Sequence, residues 1–115
     1  MIETDKEYDM DYDDGFASFF EEIKASKYYD VDKIEKAYNL AFSAHKNQRR
    51  RSGEPYIMHP VAVAKILFKL GMDNECIIGA LLHDVVEDTE YDLDYIKKEF
   101  GDEVALLVDG VTKLG

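Results

Sequence analysis

Residues 74–88, which read NECIIGALLHDVVED, decide the fold. At about 100° per residue, the apolar side chains of this stretch form one continuous stripe along a helix. The stripe comprises Ile77, Ile78, Leu81, Leu82 and Val85. On the other side stand Cys76, Gly79 and Ala80, where a solvated helix face normally carries Lys, Glu or Gln. We therefore expect a helix that other helices cover on more than one side.

The polar arc of the same helix contains His83, Asp84, Glu87 and Asp88, because His83 lies one turn from Glu87 and Asp84 one turn from Asp88. Burying carboxylates without a compensating charge is costly. A divalent cation would supply that charge, and imidazole with carboxylate suits Mn, Fe or Zn better than Ca. The alternative is that His83 is a core histidine with satisfied hydrogen bonds and that the carboxylates pair with Lys or Arg from elsewhere.

Helical periodicity and capping signals predict five further helices. The first begins at Phe16 (FASFFEEIKA), the second runs from about Val31 to Arg49, and the third runs from Pro60 to Gly71. After residues 74–88, the next helix runs from Asp92 to Gly101 and the last begins at Asp102. The third helix carries an apolar face of Val63, Ile66, Leu67 and Leu70. No strand pattern or internal repeat competes, so the predicted fold class is all-α with short loops.

Two more histidines and one basic cluster precede residues 74–88. His59 stands before Pro60 in the loop RSGEPYIMHP, and we expect it to point into the same space as His83, although capping or loop packing is the alternative. His45 extends the buried stripe of the second helix and is predicted to be structural, or to support a metal ligand from behind, and not to be a ligand itself. The basic cluster comprises Lys46, Arg49, Arg50 and Arg51. Such a cluster would hold a phosphate-bearing substrate, unless it is only a solvated helix end.

The composition sets limits on these interpretations. The 115 residues carry a net charge of −11 and one cysteine, which predicts a small domain without disulfides in a cytoplasmic setting. This acidity disfavours binding of DNA, RNA or an anionic membrane. The first fourteen residues carry −6 of the charge, so residues 1–15 are expected to form a solvated acidic segment. No apolar run is long enough for a membrane span, and the acidic start is unlike a signal peptide.

Four strings, AHKNQRR, SGEPYIMHP, ALLHDVVEDT and FGDEVALLVDGVTKLG, resemble in that order the N-terminal hydrolase domain of the Rel/Spo family. These long bifunctional enzymes make and degrade guanosine tetraphosphate and pentaphosphate. The resemblance covers about residues 31–115 and implies an all-α HD-domain helical bundle. With the helical signal that begins at Phe16, we expect residues 16–115 to form the N-terminal part of an HD-type phosphohydrolase domain, which follows the acidic segment 1–15.

The resemblance also implies a metal site. By motif, its metal ligands would be His59, His83 and Asp84. The metal in the family is usually manganese, and other divalent transition metals are alternatives. Glu87 and Asp88 would position or activate the attacking water.

The substrate implied by the resemblance is a guanine nucleotide alarmone, guanosine 3′,5′-bis(pyrophosphate). Arg50 would pack on its guanine base, with Arg51 and Ser52 beside it near the nucleotide. Hydrolysis would yield GDP or GTP and pyrophosphate. A related HD phosphatase that acts on another nucleotide and a non-catalytic regulatory module are the two alternatives.

One element of the family pattern does not occur in these 115 residues. The fourth metal ligand of the family is an aspartate in a run resembling DRLHNM, and we find no such run. We therefore expect weak metal affinity and low activity of the chain by itself, with downstream domains or a homo-oligomer as possible partners. A synthetase activity is not expected here, because in the family it belongs to a separate domain with strands.

Overall fold

The structure is a computed structural model that describes residues 14–46, 48 and 53–114, with the backbone alone for 111–114. Within these ranges the chain forms six helices and no β-strand, which confirms the predicted all-α class. They are α1 (Phe16–Ser26), α2 (Val31–His45), α3 (Met58–Lys69), α4 (Asn74–Asp88), α5 (Leu93–Phe100) and α6 (Asp102–Leu114). None of these helices is long and apolar enough to cross a membrane.

Helices α2, α4 and α5 each have an aspartate as the N-cap residue. The side chains of Asp30, Asp73 and Asp92 each accept a hydrogen bond from the backbone N–H three residues later, at 3.1, 3.0 and 3.0 Å. Such an N-cap contributes about 1 kcal/mol to stability. Gly101 ends α5 with a φ of 100°, a conformation that side chains disfavour. These local signals explain why most helix boundaries agree with the predicted ones.

Helix α4 lies at the centre of the fold. It packs against α2, α3 and α6, while α5 packs on α6 and α1 on α2. The predicted apolar stripe of α4 is completely buried, at Ile77, Ile78, Leu81, Leu82 and Val85. The polar arc at the end of α4 is consequently held on the most constrained helix of the molecule.

Helix α3 differs from its predicted form in two respects. It begins at Met58, so His59 lies in the first helical turn and not in the preceding loop. The four apolar residues of the predicted face do share one side, but Ile66 and Leu70 are 58% and 65% exposed. The face packed into the core instead carries the small residues Val61 and Ala64, which allow a close approach to α4.

Helix α1 covers one end of the core with aromatic side chains. Phe16 stacks on Tyr38 of α2, with ring centroids 3.7 Å apart, and Phe19 meets the edge of Phe68 of α3 at 5.6 Å. Asp14 precedes the helix and its Oδ1 accepts a hydrogen bond of 2.9 Å from the Phe16 N–H, while its Oδ2 accepts one from the Tyr38 hydroxyl. The acidic segment is thus tied to the fold at Asp14, and residues 1–13 lie outside the described residues.

Candidate metal centre

The second half of α4 places one imidazole between two carboxylates. His83 Nδ1 lies 3.1 Å from Asp84 Oδ1, and His83 Nε2 lies 3.2 Å from Glu87 Oε2. One donor atom from each of the three residues falls within 4.8 Å of the others. A neutral imidazole has a single N–H and cannot donate to both carboxylates. The arrangement therefore suits a positive charge, which either a proton on the ring or a bound metal ion would provide.

The alternative, that Lys or Arg neutralises these carboxylates, is not what the described residues show. Asp84 is buried, with 8% of its surface exposed, and no Lys or Arg in the described ranges forms an ion pair with it or with Glu87. A buried carboxylate that pairs, among the described residues, with a histidine and with no Lys or Arg is a group that a divalent cation fits. Imidazole nitrogen with carboxylate oxygen is a donor set for Mn, Fe or Zn.

A cavity of about 210 Å³ lies next to this cluster, between α3, α4 and α6. It is lined by His59, Pro60, Val63, Leu67, Met72, Cys76, Gly79, Ala80, His83, Asp84 and Leu107. His59 from α3 thus borders the same cavity as His83 and Asp84 from α4. All three predicted metal ligands line this cavity. Among the described residues, however, the donor atoms that fall within 4.8 Å of one another are those of His83, Asp84 and Glu87, without His59.

The small residues of α4 explain how this cavity arises. Gly79 lies opposite Leu107 of α6, and a Cβ built on Gly79 would be 3.6 Å from the Leu107 Cβ. Cys76 and Ala80 line the same wall. Helices α3 and α6 therefore flank this side of α4, as expected from its small side chains, and leave a space with mainly apolar walls beside the polar cluster.

Asp88 faces a different neighbour from Glu87. Its Oδ2 accepts a hydrogen bond of 2.6 Å from the Tyr56 hydroxyl, and its backbone carbonyl accepts one of 3.2 Å from Gln48 Nε2. The two predicted catalytic carboxylates thus differ in setting: Glu87 lies beside the His83 ring, whereas Asp88 is bound to the segment before α3. Sequence reasoning did not single out Tyr56 or Gln48. The signal available for Tyr56 was its place within the SGEPY string.

The predicted substrate residues Arg50, Arg51 and Ser52 lie outside the described residues. Gln48, which precedes them, and Tyr56, which follows them, are joined by a hydrogen bond of 3.2 Å from the Tyr56 N–H to the Gln48 carbonyl. Gln48 and Tyr56 each also donate a hydrogen bond to Asp88.

His45 is buried at the end of α2, as predicted, with 1% of its surface exposed. Its Nδ1 lies 3.0 Å from Gln48 Oε1, and its ring stacks on Tyr56 with centroids 4.6 Å apart. His45 Nε2 has no hydrogen-bond partner among the described residues. His45 is not among the residues that line the cavity.

Cys76 also borders the cavity, yet its environment suppresses the thiolate. The side chain of Asp73 forms a hydrogen bond that favours the protonated thiol, and burial adds to it, so the pKa of Cys76 is raised. Metal binding and nucleophilic attack both require the thiolate. Cys76 lines the cavity wall and does not belong to the group of His83, Asp84 and Glu87.

Comparison with known proteins identifies the family of this chain. The family described as "HD domain" matches residues 37–115. The chain is 58% identical over 81 residues to a GTP pyrophosphokinase of Streptomyces coelicolor, and 54% identical over 85 residues to a guanosine-3′,5′-bis(diphosphate) 3′-pyrophosphohydrolase of Aquifex aeolicus. These matches cover 70% and 74% of this chain but only 10% and 12% of the relatives. The chain belongs to the HD-domain family, and the relatives that it matches are Rel/Spo-family enzymes.

Proposed function

We propose that this chain forms the metal-binding part of a hydrolase that converts guanosine 3′,5′-bis(pyrophosphate) and its pentaphosphate analogue to GDP or GTP and pyrophosphate. The observation that carries the proposal is the meeting of His59, His83 and Asp84 at one cavity. A relative with 54% identity is named for this hydrolysis, although the chain spans about a tenth of that relative's length.

HD domains bind divalent metals, and this chain contains a His and acid group suited to one. In the proposal, His83 and Asp84 hold the ion from α4 and His59 holds it from α3. We propose Mn²⁺ as the ion, with other divalent transition metals as alternatives. When bound, such an ion supplies the acidity that turns water into hydroxide near neutral pH.

Two carboxylates on the last turn of α4 would handle the protons. Glu87 is exposed beside the His83 ring and is placed to accept a proton from the attacking water. The water oxygen forms a bond to the phosphorus on the ribose 3′ oxygen, and the bond between that phosphorus and the 3′ oxygen breaks. The 3′ oxygen takes up a proton, and pyrophosphate leaves. Asp88, held by Tyr56, is the second carboxylate proposed to orient the water or to pass this proton.

The substrate would be bound on the side of α4 where Gln48 and Tyr56 lie. Arg50 is proposed to pack on guanine, with Arg51 and Ser52 near the phosphates, because guanidinium groups bind phosphate oxygens in pairs and stack on aromatic rings. Basic residues are needed there, since the chain carries −11 overall and would otherwise repel a polyanion. A cytoplasmic location and a role without DNA or RNA remain part of the proposal.

The test is release of pyrophosphate from the alarmone in the presence of Mn²⁺. Two proteins should be assayed: the 115-residue chain, and a chimera in which the chain continues with the residues that follow the matched region in the Aquifex aeolicus relative. We expect slow release by the chain and faster release by the chimera, because additional metal ligands raise affinity. Asp84→Asn in each protein is the control and should abolish release. No release by either protein would overturn the proposal.

A panel of other nucleotides separates the alternatives. If both proteins hydrolyse another phosphorylated nucleotide and leave the alarmone intact, the chain is an HD phosphatase of different specificity. Arg50→Ala should reduce hydrolysis of guanine nucleotides more than that of adenine nucleotides if Arg50 contacts the base. A chain that binds no Mn²⁺ and hydrolyses nothing would instead be a non-catalytic module.

A further inference from the structure

Two hydrogen bonds tie the end of α4 to the segment before α3, and both meet at Asp88. The Tyr56 hydroxyl donates to Asp88 Oδ2 at 2.6 Å, and Gln48 Nε2 donates to the Asp88 carbonyl at 3.2 Å. Asp88 is exposed, so its side chain would otherwise exchange among staggered rotamers. The phenol hydrogen bond selects one of them.

Tyr56 is itself fixed in two ways. Its ring stacks on the buried His45 ring, with centroids 4.6 Å apart and planes 23° apart. Its backbone N–H donates to the Gln48 carbonyl at 3.2 Å. Because a phenol hydroxyl lies in the plane of its ring, the stack on His45 determines where the hydroxyl points.

The hydrogen bonds also assign the orientation of Gln48 and the tautomer of His45. Since Gln48 Nε2 donates to Asp88, Gln48 Oε1 is the atom that faces His45 Nδ1, at 3.0 Å. An amide oxygen only accepts, so Nδ1 of His45 carries the proton. His45, Gln48 and Tyr56 thus form one connected support beneath Asp88.

We propose that Tyr56 is a positioning residue for Asp88, and that His45 and Gln48 act through Tyr56 and the α4 terminus. The proposal rests on the proposed function, in which Asp88 orients the attacking water or passes a proton. Tyr56 acts on the reaction only by setting the direction of the carboxylate.

Removal of the hydroxyl should therefore lower the rate of the chemical step and leave substrate binding intact. A carboxylate distributed over several rotamers spends only part of its time in the productive one, and small misplacements at a reacting centre cost up to about 100-fold. We expect Tyr56→Phe to reduce kcat about tenfold with KM unchanged. The ring and its stack on His45 remain in this variant.

The first experiment measures coupling between Tyr56 and Asp88 and needs no turnover. Urea unfolding midpoints are determined on the 115-residue chain for the wild type, Tyr56→Phe, Asp88→Ala and the double variant. Tyr56→Phe should lower the midpoint in the wild type and have at most half that effect once Asp88 is absent. Equal effects in both backgrounds would overturn the proposal.

The matched control is Tyr29→Phe. The Tyr29 hydroxyl donates a hydrogen bond of 2.7 Å to the Met72 carbonyl, just before the opposite end of α4. Its loss should also lower the midpoint, but by the same amount with or without the Asp88 carboxylate. This control separates a specific coupling from general loss of a tyrosine hydroxyl.

The second experiment follows the carboxylate directly. The side-chain ¹³C resonance of Asp88, assigned by its loss in Asp88→Asn, should move in Tyr56→Phe and stay in place in Tyr29→Phe. An unchanged resonance in Tyr56→Phe would overturn the proposal.

The third experiment is the kinetic one. If kcat and KM of Tyr56→Phe both equal those of the wild type, the proposed positioning of Asp88 by Tyr56 is refuted, even if the unfolding midpoints show coupling between these two residues. If neither the wild-type chain nor the wild-type chimera releases pyrophosphate, the proposed function fails by its own test, and the midpoints and the carboxyl resonance still decide whether Tyr56 sets the orientation of Asp88.

Discussion

His83 Nδ1 lies 3.1 Å from Oδ1 of Asp84, its immediate neighbour on α4. Consecutive residues of a helix project about 100° apart, so this contact requires the two side chains to turn toward each other at the edge of the helix. They converge beside the cavity that His59 also lines. Two adjacent residues of α4 and one residue in the first turn of α3 therefore line the same cavity.

Glu87→Gln should reduce the rate of pyrophosphate release about 100-fold, because an amide of the same shape cannot accept a proton. Mn²⁺ affinity should change less than twofold if Glu87 acts as a base. Glu90→Gln is the control, since Glu90 is exposed just beyond the end of α4. A large loss of Mn²⁺ affinity in Glu87→Gln would make Glu87 a ligand, in contradiction to this role.

Gly79→Ala should stabilise the chain by about 0.5 to 1 kcal/mol, because alanine favours a helix interior and the new Cβ would be at ordinary contact distance from Leu107. Gly71→Ala should instead destabilise the chain, since Gly71 has a φ of 78° that alanine adopts only with strain. Urea unfolding measures both. Destabilisation by Gly79→Ala would show that the cavity wall tolerates no added methyl group.

Leu81→Ala should destabilise the fold by about 2 to 5 kcal/mol, because Leu81 is completely buried on the central helix. Leu106→Ala, at a position that is 71% exposed, should cost less than about 0.5 kcal/mol. Both free energies of unfolding come from the same denaturant series. Similar losses at the two positions would contradict the placement of the core around α4.

Alkylation of Cys76 tests its electrostatic setting. The pKa of the thiol is raised, chiefly by the hydrogen bond with the Asp73 side chain, so reaction with iodoacetamide should be slow at neutral pH and accelerate at alkaline pH. Asp73→Asn keeps a good helix cap but removes the negative charge, and should move the pH profile of alkylation downward. An upward shift in this variant would contradict the assigned cause.

Local signals made much of the fold predictable. Asp73 and Asp92 cap helices through contacts three residues along the chain, and the buried stripe of α4 follows from helical periodicity alone. The packing face of α3 was not predictable in this way. Its apolar residues occupy several sides, and only the close approach to α4 determines that Val61 and Ala64 are buried while Ile66 is exposed.

In the candidate site too, some features follow from local spacing and others depend on tertiary contacts. The grouping of His83, Asp84 and Glu87 follows from spacing on one helix, and the structure places one donor atom of each within 4.8 Å of the others. The contact between Tyr56 and Asp88 joins residues 32 positions apart. No periodicity connects them, so only the tertiary structure shows that the two proposed catalytic carboxylates have different supports.

The most direct test of the central claim is an Mn²⁺ titration of the 115-residue chain, followed by electron paramagnetic resonance of the free ion. We expect Asp84→Asn to weaken Mn²⁺ binding at least tenfold, because it removes the buried carboxylate of the site. Glu103→Gln, which alters the separate acidic group of Asp73, Glu75 and Glu103, should bind as the wild type does. Equal Mn²⁺ affinity of the wild type and Asp84→Asn would contradict a metal centre at His83 and Asp84.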